Sequence, residues 1–544
     1  MRFSEVSKIL GKFLFYLSII LLIPLFLSIY FQYVEMSQKP SAILAFVKTI
    51  FVCLGLSAVF LYFGRKATGN FFRRESVLLV VMIWFLTTVI SSLPFWFSNT
   101  LENPIDCIFE SVSGYTTTGS TIMCPKMYEI NGSEKPYLMN NPLNKNSPYK
   151  FYGTITPIKD ANGKIIYEGV EAVNSAILFW RSFIQWLGGL GIVLLFLTLL
   201  PALAIGGKFL LQAEMTGPIK ESIAPRIKET ASLLWKLYLG LTLIEVLALM
   251  LTNSNMKILD AFCITFSNLS TGGFSIRNDS IGSYHNSLTE WVVIIFMIVG
   301  SINFNLYFYC LKGKFYKLYE PDFFLFLAIV LISSIIIIAN VTGTKIYSME
   351  GSVQGAYNLA DSIRESTFHA VSAQTSTGFV TTDINKWPFI TQIIMILIMN
   401  LGGMSGSTAG GIKTSRLYIL YKILKNKIEE ILLPSIIRPI KIGDKEVPQS
   451  LAITVFSFFG LIVFFTILGT FSYISNNIDS LTAISSVSCM LNNVGFAFGA
   501  ATPSVGFAFM GPFSKILSCF LMLLGRLEYF IILLVFTTTF WRSR

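Results

Sequence analysis

Apolar runs of roughly twenty residues, the length that crosses the hydrocarbon of a bilayer, recur along the chain between polar stretches. The clearest are 13–31, 41–63, 77–97, 175–200, 232–251, 291–311, 323–341, 388–401, 451–473 and 516–541. Between them lies a second pattern, a short amphipathic segment followed by a polar stretch that ends in glycine. The first example, SGYTTTGST at 113–121, is too polar for a span and too flexible for a core. Together the two patterns predict an all-α polytopic membrane protein.

The second pattern occurs four times in register: DCIFESVSGYTTTG (106–119), DAFCITFSNLSTGG (260–273), ESTFHAVSAQTSTG (365–378) and TAISSVSCMLNNVG (482–495). Each window opens on a polar residue read as a helix cap, namely Asp106, Asp260, Glu365 and Thr482. About two helical turns follow, too short to cross a bilayer. A small residue recurs at one position (Ser113, Ser267, Ser372, Cys489), and the windows close on Gly119, Gly273, Gly378 and Gly495. Four unrelated turns would rarely share length, cap and glycine. Each window sits between full spans, so the unit is span, re-entrant half-helix, polar stretch, span.

Irregular backbone is tolerated at membrane depth only where protein buries it or where it lines a water-filled cavity. Four such units around one axis meet that demand by lining a common pore. Their helices aim partially negative C-termini at the axis, which favours cations. The residues before each glycine are rich in hydroxyl and carbonyl groups: Thr116, Thr117 and Thr118; Ser270, Thr271 and Gly272; Thr375, Ser376 and Thr377; Asn492, Asn493 and Val494. Backbone carbonyls replacing a hydration shell are the known route to potassium selectivity. With the four glycines, these residues are the expected selectivity filter. Thr117, Thr118, Thr271, Gly272, Ser376, Thr377, Asn493 and Val494 are the expected K+ ligands.

Composition narrows the alternatives. Of 544 residues 53% are hydrophobic and 13% charged, about half the charge of a soluble domain. The net charge of +11 is distributed by topology: basic residues gather at 64–74, 312–317 and 413–445. By the positive-inside rule these loops and the N-terminus face the cytoplasm and meet anionic lipid, so no nucleic acid is expected. The segment 124–171 has six lysines and five acids and is expected outside, since long loops translocate largely regardless of charge. The first run follows Arg2, Lys8 and Lys12 but lacks a small-x-small cleavage site, and so reads as a retained span. Seven cysteines without a CxxC pair and only His285 and His369 leave no readable zinc or Cys/His site. Enzyme chemistry is therefore not expected, and His369 reads as packed rather than as a proton relay. Glu245 is an intramembrane acid whose partner the sequence does not reveal.

The chain resembles the TrkH/KtrB family of potassium-translocating subunits over nearly its whole length. Beyond the four windows the resemblance rests on RSFIQWLGGLGIVLLFLTLLP (181–201), AEMTGPIKESIAPRIKETASLLWKLYLGLT (213–242), GGMSGSTAGGIKTSR (402–416) and LGRLEYFIILLVFTTTFWR (524–542). It implies four M1–P–M2 repeats with pseudo-fourfold symmetry after two extra N-terminal transmembrane helices: 1–70 for the extension, then 71–206, 207–318, 319–430 and 431–544. It further implies a homodimer in a bacterial cytoplasmic (inner) membrane with both termini cytoplasmic. A cytosolic ring of nucleotide-binding RCK domains, TrkA in the Trk system, is the implied regulator. No GxGxxG follows a strand in this chain, so no nucleotide site is expected here.

The same resemblance assigns a gate. The stretch 402–411 interrupts the second span of the third repeat, and Ile412 before Lys413 breaks the phosphate-loop pattern. A tight turn between helices is the bland alternative; in the family it is an unwound loop that obstructs the ion path. Gly402, Gly403, Gly406, Gly410 and Gly411 are its expected elements. Arg526 lies inside the last apolar run, and the family implies that it faces the pore below the filter. The alternative is a structural ion pair, but Glu528, two positions on, does not share its helix face. In plant relatives serine at the first filter accompanies sodium preference; Gly119 favours potassium. Phe496 stands where many relatives have proline, which predicts a looser fourth filter. The expected function is K+ uptake through a selective, gated, channel-like pore. A sodium-permeable or Na+/H+-coupled transporter on the same scaffold, or the pore subunit of a P-type K+ pump, is the alternative.

Overall fold

The computed structural model describes all residues except 1, 37, 69–71, 130, 143–147, 192–226, 349–351, 433–439, 443–444, 503–504 and 543–544. The expected boundaries between residues 70 and 71 and between 206 and 207 lie outside the described residues, as do the end of the 181–201 motif and the first part of 213–242.

Among the described residues six helices are long and apolar enough to cross a bilayer: Phe3–Tyr33, Ile43–Lys66, Arg74–Phe97, Glu229–Thr252, Pro321–Val341 and Gln449–Ser475. The first two form an antiparallel pair that closes on small residues. The Ser57 hydroxyl donates to the Gly11 carbonyl at 2.7 Å, and a Cβ on Gly11 would stand 2.8 Å from the Leu61 backbone nitrogen. The other four each open one repeat.

Among the described residues no second span runs as one long helix, where only the third break was expected. In repeat 1 the helix Ser175–Gly189 stops at a glycine pair. In repeat 2 the expected run 291–311 is two helices, Ser287–Ser301 and Phe304–Leu311, bent by 96°. In repeat 3 the helix Phe389–Met399 ends and the chain resumes as helix at Thr414–Leu432. In repeat 4 the expected run 516–541 divides into Pro512–Arg526, Phe530–Val535 and Thr538–Trp541. Average hydropathy does not register these stops, because their cause is local. Gly191 turns at φ +98°, Asn303 caps the following helix through the Asn305 N–H, and Glu528 and Tyr529 both take positive φ.

Four short helices stand between the paired spans: Pro104–Tyr115, Ile258–Leu269, Leu359–Gln374 and Ser480–Asn492. They begin earlier than predicted, so Asp106, Asp260, Glu365 and Thr482 are not the caps. Asn103, Asn358 and Asp479 accept the capping bonds, and Lys257 precedes the second helix without a side-chain cap. The predicted cap residues lie inside the helices and bind other segments. Asp106 pairs with Lys515 at 2.7 Å and Asp260 with Arg277 at 2.8 Å. Glu365 accepts from the Thr381 hydroxyl, and the Thr482 hydroxyl accepts from the Ala500 N–H at 2.9 Å while bound to Asp479. At Asp106 the ion pair with Lys515 outweighs a cap that Asn103 one turn earlier already supplies.

The segment 124–171 carries three small hairpins: Met127–Tyr128 with Glu134–Lys135, Tyr137–Met139 with Tyr149–Phe151, and Ile158–Lys159 with Ile165–Tyr167. Their apolar side, with Tyr149 and Phe151, packs on Ala500, Val505 and Ala508 of the fourth repeat. The Tyr149 hydroxyl donates to Asp479 Oδ1 at 2.9 Å and accepts from the Asp479 N–H at 2.7 Å.

Candidate functional site

Beyond each short helix the chain takes the same turn. Thr117, Thr271, Ser376 and Asn493 have φ of 53°, 53°, 55° and 55°. Left-handed backbone is rare for any side-chain residue and least tolerated by β-branched threonine. Strain of this kind costs on the order of 1–3 kcal/mol per residue and persists only where the surroundings impose it. Here they do. The Ser113 carbonyl accepts from the N–H groups of Thr118 (2.9 Å) and Gly119 (3.4 Å), and the Ser267 carbonyl from those of Gly272 (2.7 Å) and Gly273 (3.1 Å). The Ser372 carbonyl accepts from Thr377 (3.0 Å) and Gly378 (3.3 Å), and the Cys489 carbonyl from Val494 (3.1 Å). The small residue repeated in the sequence is thus the anchor of each turn.

Two residues later Gly119, Gly273, Gly378 and Gly495 have φ of +79°, +73°, +83° and +104°. A Cβ on Gly119 would overlap the carbonyl oxygen of Gly272, one on Gly273 that of Thr377, and one on Gly378 that of Val494. A Cβ on Gly495 would stand 2.7 Å from the carbonyl oxygen of Thr118. The four contacts run repeat 1 to 2, 2 to 3, 3 to 4 and 4 to 1, and so close a ring. All four glycines line one cavity of about 860 Å³ on the hairpin side, with Arg181 and Arg277 in its wall.

Hydroxyls and amides brace the ring from behind. Thr116 and Thr118 bond to each other at 2.8 Å, as do Thr375 and Thr377. Asn493 Nδ2 donates to Thr118 Oγ1 at 2.8 Å and to the Met522 carbonyl at 3.1 Å. Gln185, from the second span of repeat 1, donates to the Gly272 carbonyl at 2.7 Å and accepts from the Phe274 N–H at 3.1 Å. Sequence reasoning missed Gln185; an amide within an apolar run was the available signal. Of the remaining filter candidates, Ser270 and Asn492 point away from the ring: the Ser270 hydroxyl bonds to the Ser267 carbonyl at 3.3 Å, and Asn492 Nδ2 donates to Asn400 Oδ1 at 2.8 Å.

The glycine-rich stretch forms a loop, residues 400–413, against the ends of the second and fourth short helices. Thr408 Oγ1 donates to the carbonyls of Leu269 (3.0 Å) and Gly300 (2.9 Å), and the Gly410 N–H donates to Ser376 Oγ at 2.6 Å. Gly402 and Gly411 lie face to face, closed by the bond from the Gly402 N–H to the Ile412 carbonyl at 2.9 Å. Gly403 packs on Ser301, and Gly406, at φ +77°, accepts from the Phe304 N–H at 3.1 Å. The loop is therefore more than a tight turn, since it bonds to two other repeats.

Arg526 joins it to a third. Its guanidinium donates to the carbonyls of Thr408 (2.9 Å), Gly188 (2.6 Å) and Gly189 (2.6 Å). Glu528 binds Arg416 at 2.6 Å. Lys413, buried in the loop, donates to the Ala409 carbonyl. The space beside these groups is about 10 Å³, enough for about one water.

Two further candidates have structural partners. Glu245 accepts from Asn268 Nδ2 at 2.6 Å, one turn before Thr271. His369 is buried against Trp387, with Nδ1 2.8 Å from the Glu365 carbonyl and Nε2 3.3 Å from the Thr381 N–H. The second contact makes Nε2 an acceptor, so Nδ1 carries the proton. It is the packed histidine expected.

The comparisons with known proteins agree with this architecture. The TrkH family profile, described as a cation transport protein, matches residues 160–542. The Trk system potassium uptake protein TrkH of Salmonella typhimurium is 30% identical, with both chains covered completely. The Trk system potassium uptake protein TrkG of Escherichia coli is 31% identical over 99% of this chain and 98% of its own. The crystal structure of the potassium transporter TrkH from Vibrio parahaemolyticus superposes with a TM-score of 0.78 at 27% identity over both full lengths. The chain belongs to the TrkH family of cation transport proteins.

Proposed function

We propose that the chain takes up potassium through the glycine ring. The full-length relatives and the superposed structure are named for potassium uptake and potassium transport. The observation that carries the reading is the closed cycle of four glycines and four carbonyls at the base of one cavity. Carbonyl oxygens arranged this way replace the water around a cation. The oxygens of Thr118, Gly272, Thr377 and Val494, with those of Thr117, Thr271, Ser376 and Asn493, are the ligands in this reading. K+ is cargo, and the inward direction follows the membrane potential, worth about 2.3 kcal/mol per charge per 100 mV.

The loop at 400–413 and Arg526 are the proposed gate. The support is the position of Arg526, which occupies three carbonyls with a tethered positive charge. The basic loops favour an inner-membrane orientation with the hairpins outside and both termini cytoplasmic. A homodimer and a cytosolic RCK ring that binds nucleotide complete the proposed system.

The test is Rb+ uptake into cells lacking their own potassium uptake systems, with and without a candidate RCK partner. Uptake with a preference for Rb+ over Na+ supports the reading. A membrane-inserted chain that moves neither ion under both conditions overturns it.

A further inference from the structure

The wall of the cavity above the first two glycine turns holds a buried ion pair that the ion path does not use. Arg181, two turns into the helix Ser175–Gly189, is 2% exposed, and Glu110, on the first short helix, is fully buried. Arg181 Nε donates to Glu110 Oε1 at 2.6 Å, and its guanidinium lies 3.6 Å from the centre of the Phe274 ring. Each partner also grips a strand that leaves a filter. Glu110 accepts from the Thr121 hydroxyl at 2.9 Å and the Ile122 N–H at 3.1 Å, two and three residues after Gly119. Arg181 Nη1 donates to the Ser275 carbonyl at 2.7 Å, two residues after Gly273.

We infer that the Arg181–Glu110 pair is a positioning element that fixes the first filter against the second and keeps the charge at the pore mouth balanced. Arg181 shares the cavity wall with Gly119 and Gly273. A cavity with low-dielectric walls focuses the field of any charge that lines it. Paired, guanidinium and carboxylate cancel; alone, either one adds an uncompensated charge at the mouth. Of the other charged side chains that line the cavity, Arg277 binds Asp260 at 2.8 Å and faces Glu171 at 3.7 Å, and Glu168 and Asp279 complete the set. The inference rests on the ring being the ion path.

The pair makes a signed prediction. Glu110→Gln leaves Arg181 unbalanced and raises the half-saturating Rb+ concentration about threefold or more, most strongly at low ionic strength. Arg181→Gln removes the positive member and leaves Glu110 held by the Thr121 hydroxyl and the Ile122 N–H; it lowers that concentration and introduces inhibition by external Mg2+. The double variant returns half-saturation to the native range, while Rb+/Na+ discrimination falls because both strands lose their holders. Arg181→Lys keeps the charge without the fork, so half-saturation stays near native and discrimination falls; this variant serves if the neutral ones fail to insert. Shifts of one sign in both single variants, or unaltered discrimination in Arg181→Lys, overturn the inference. Absence of Rb+ uptake by the unmodified, membrane-inserted chain overturns the ion-path reading instead.

Discussion

The guanidinium of Arg526 reaches the carbonyl of Thr408 at 2.9 Å across 118 residues of sequence, and with it a helix of the fourth repeat holds the unwound loop of the third. The same group binds Gly188 and Gly189 of the first. Three repeats therefore meet on one side chain. Hydrogen bonds from charged donors contribute about 1.5–3 kcal/mol each, and about 1.4 kcal/mol is a tenfold change in an equilibrium. Arg526→Gln is expected to raise Rb+ uptake at least several-fold, measured in proteoliposomes without a regulatory partner. Unchanged uptake at equal protein content would remove Arg526 from the gate.

The four ring glycines, the proposed filter, differ in the space around them, and substitution should follow that order. At Gly119, Gly273 and Gly378 a Cβ overlaps a neighbouring carbonyl, whereas at Gly495 it stands 2.7 Å away. Gly119→Ser must displace the Gly272 carbonyl that Gln185 holds, and an approximately tenfold loss of K+/Na+ discrimination is expected, about 1.4 kcal/mol. Gly495→Ser is expected to cost least of the four. Competition of Na+ with Rb+ uptake measures both, and equal losses at all four positions would contradict the ring.

Arg416 and Glu528 form a pair at 2.6 Å with side chains 7% and 18% exposed. Lys441 and Glu446 form one at 3.6 Å in open solvent, 54% and 65% exposed. Removing one partner of a buried pair strands the other charge, at up to about 3–5 kcal/mol, whereas exposed pairs contribute about 0–1 kcal/mol. Thermal unfolding in detergent should show a fall in Tm of several degrees for Glu528→Gln and almost none for Glu446→Gln.

Tyr149→Phe deletes one oxygen that both donates to and accepts from Asp479. The Asp479 N–H, left without its acceptor, costs about 1–3 kcal/mol. The hairpin segment is expected to become more sensitive to external protease in this variant, while uptake persists; unchanged cleavage would assign its docking to the apolar contacts alone.

The repeats and the ring were legible because their constraints are local and written four times: a small anchor at 113, 267, 372 and 489 and a glycine six residues on. The helix starts were not. Asp106 and Asp260 have the chemistry of caps, but Lys515 and Arg277 compete for them, and those partners lie in other segments. Breaks in the second spans were hidden for a related reason. Gly188, Asn303 and Glu528 are single interruptions in runs whose average hydropathy stays high. Gln185 and the Arg181–Glu110 pair depend on side chains meeting across repeats, which spacing along the chain does not encode.

The ties that close the ring also order its assembly during synthesis. Tyr149 waits 330 residues for Asp479, and Asp106 waits 409 for Lys515. At roughly 5–20 residues per second, the first pore helix spends on the order of tens of seconds in the membrane before its partners exist. Its buried carboxylates must meanwhile be sheltered by water or by the insertion machinery. The first repeat is thus the last to be completed, and a nascent chain truncated before residue 479 should hold three repeats and no pore.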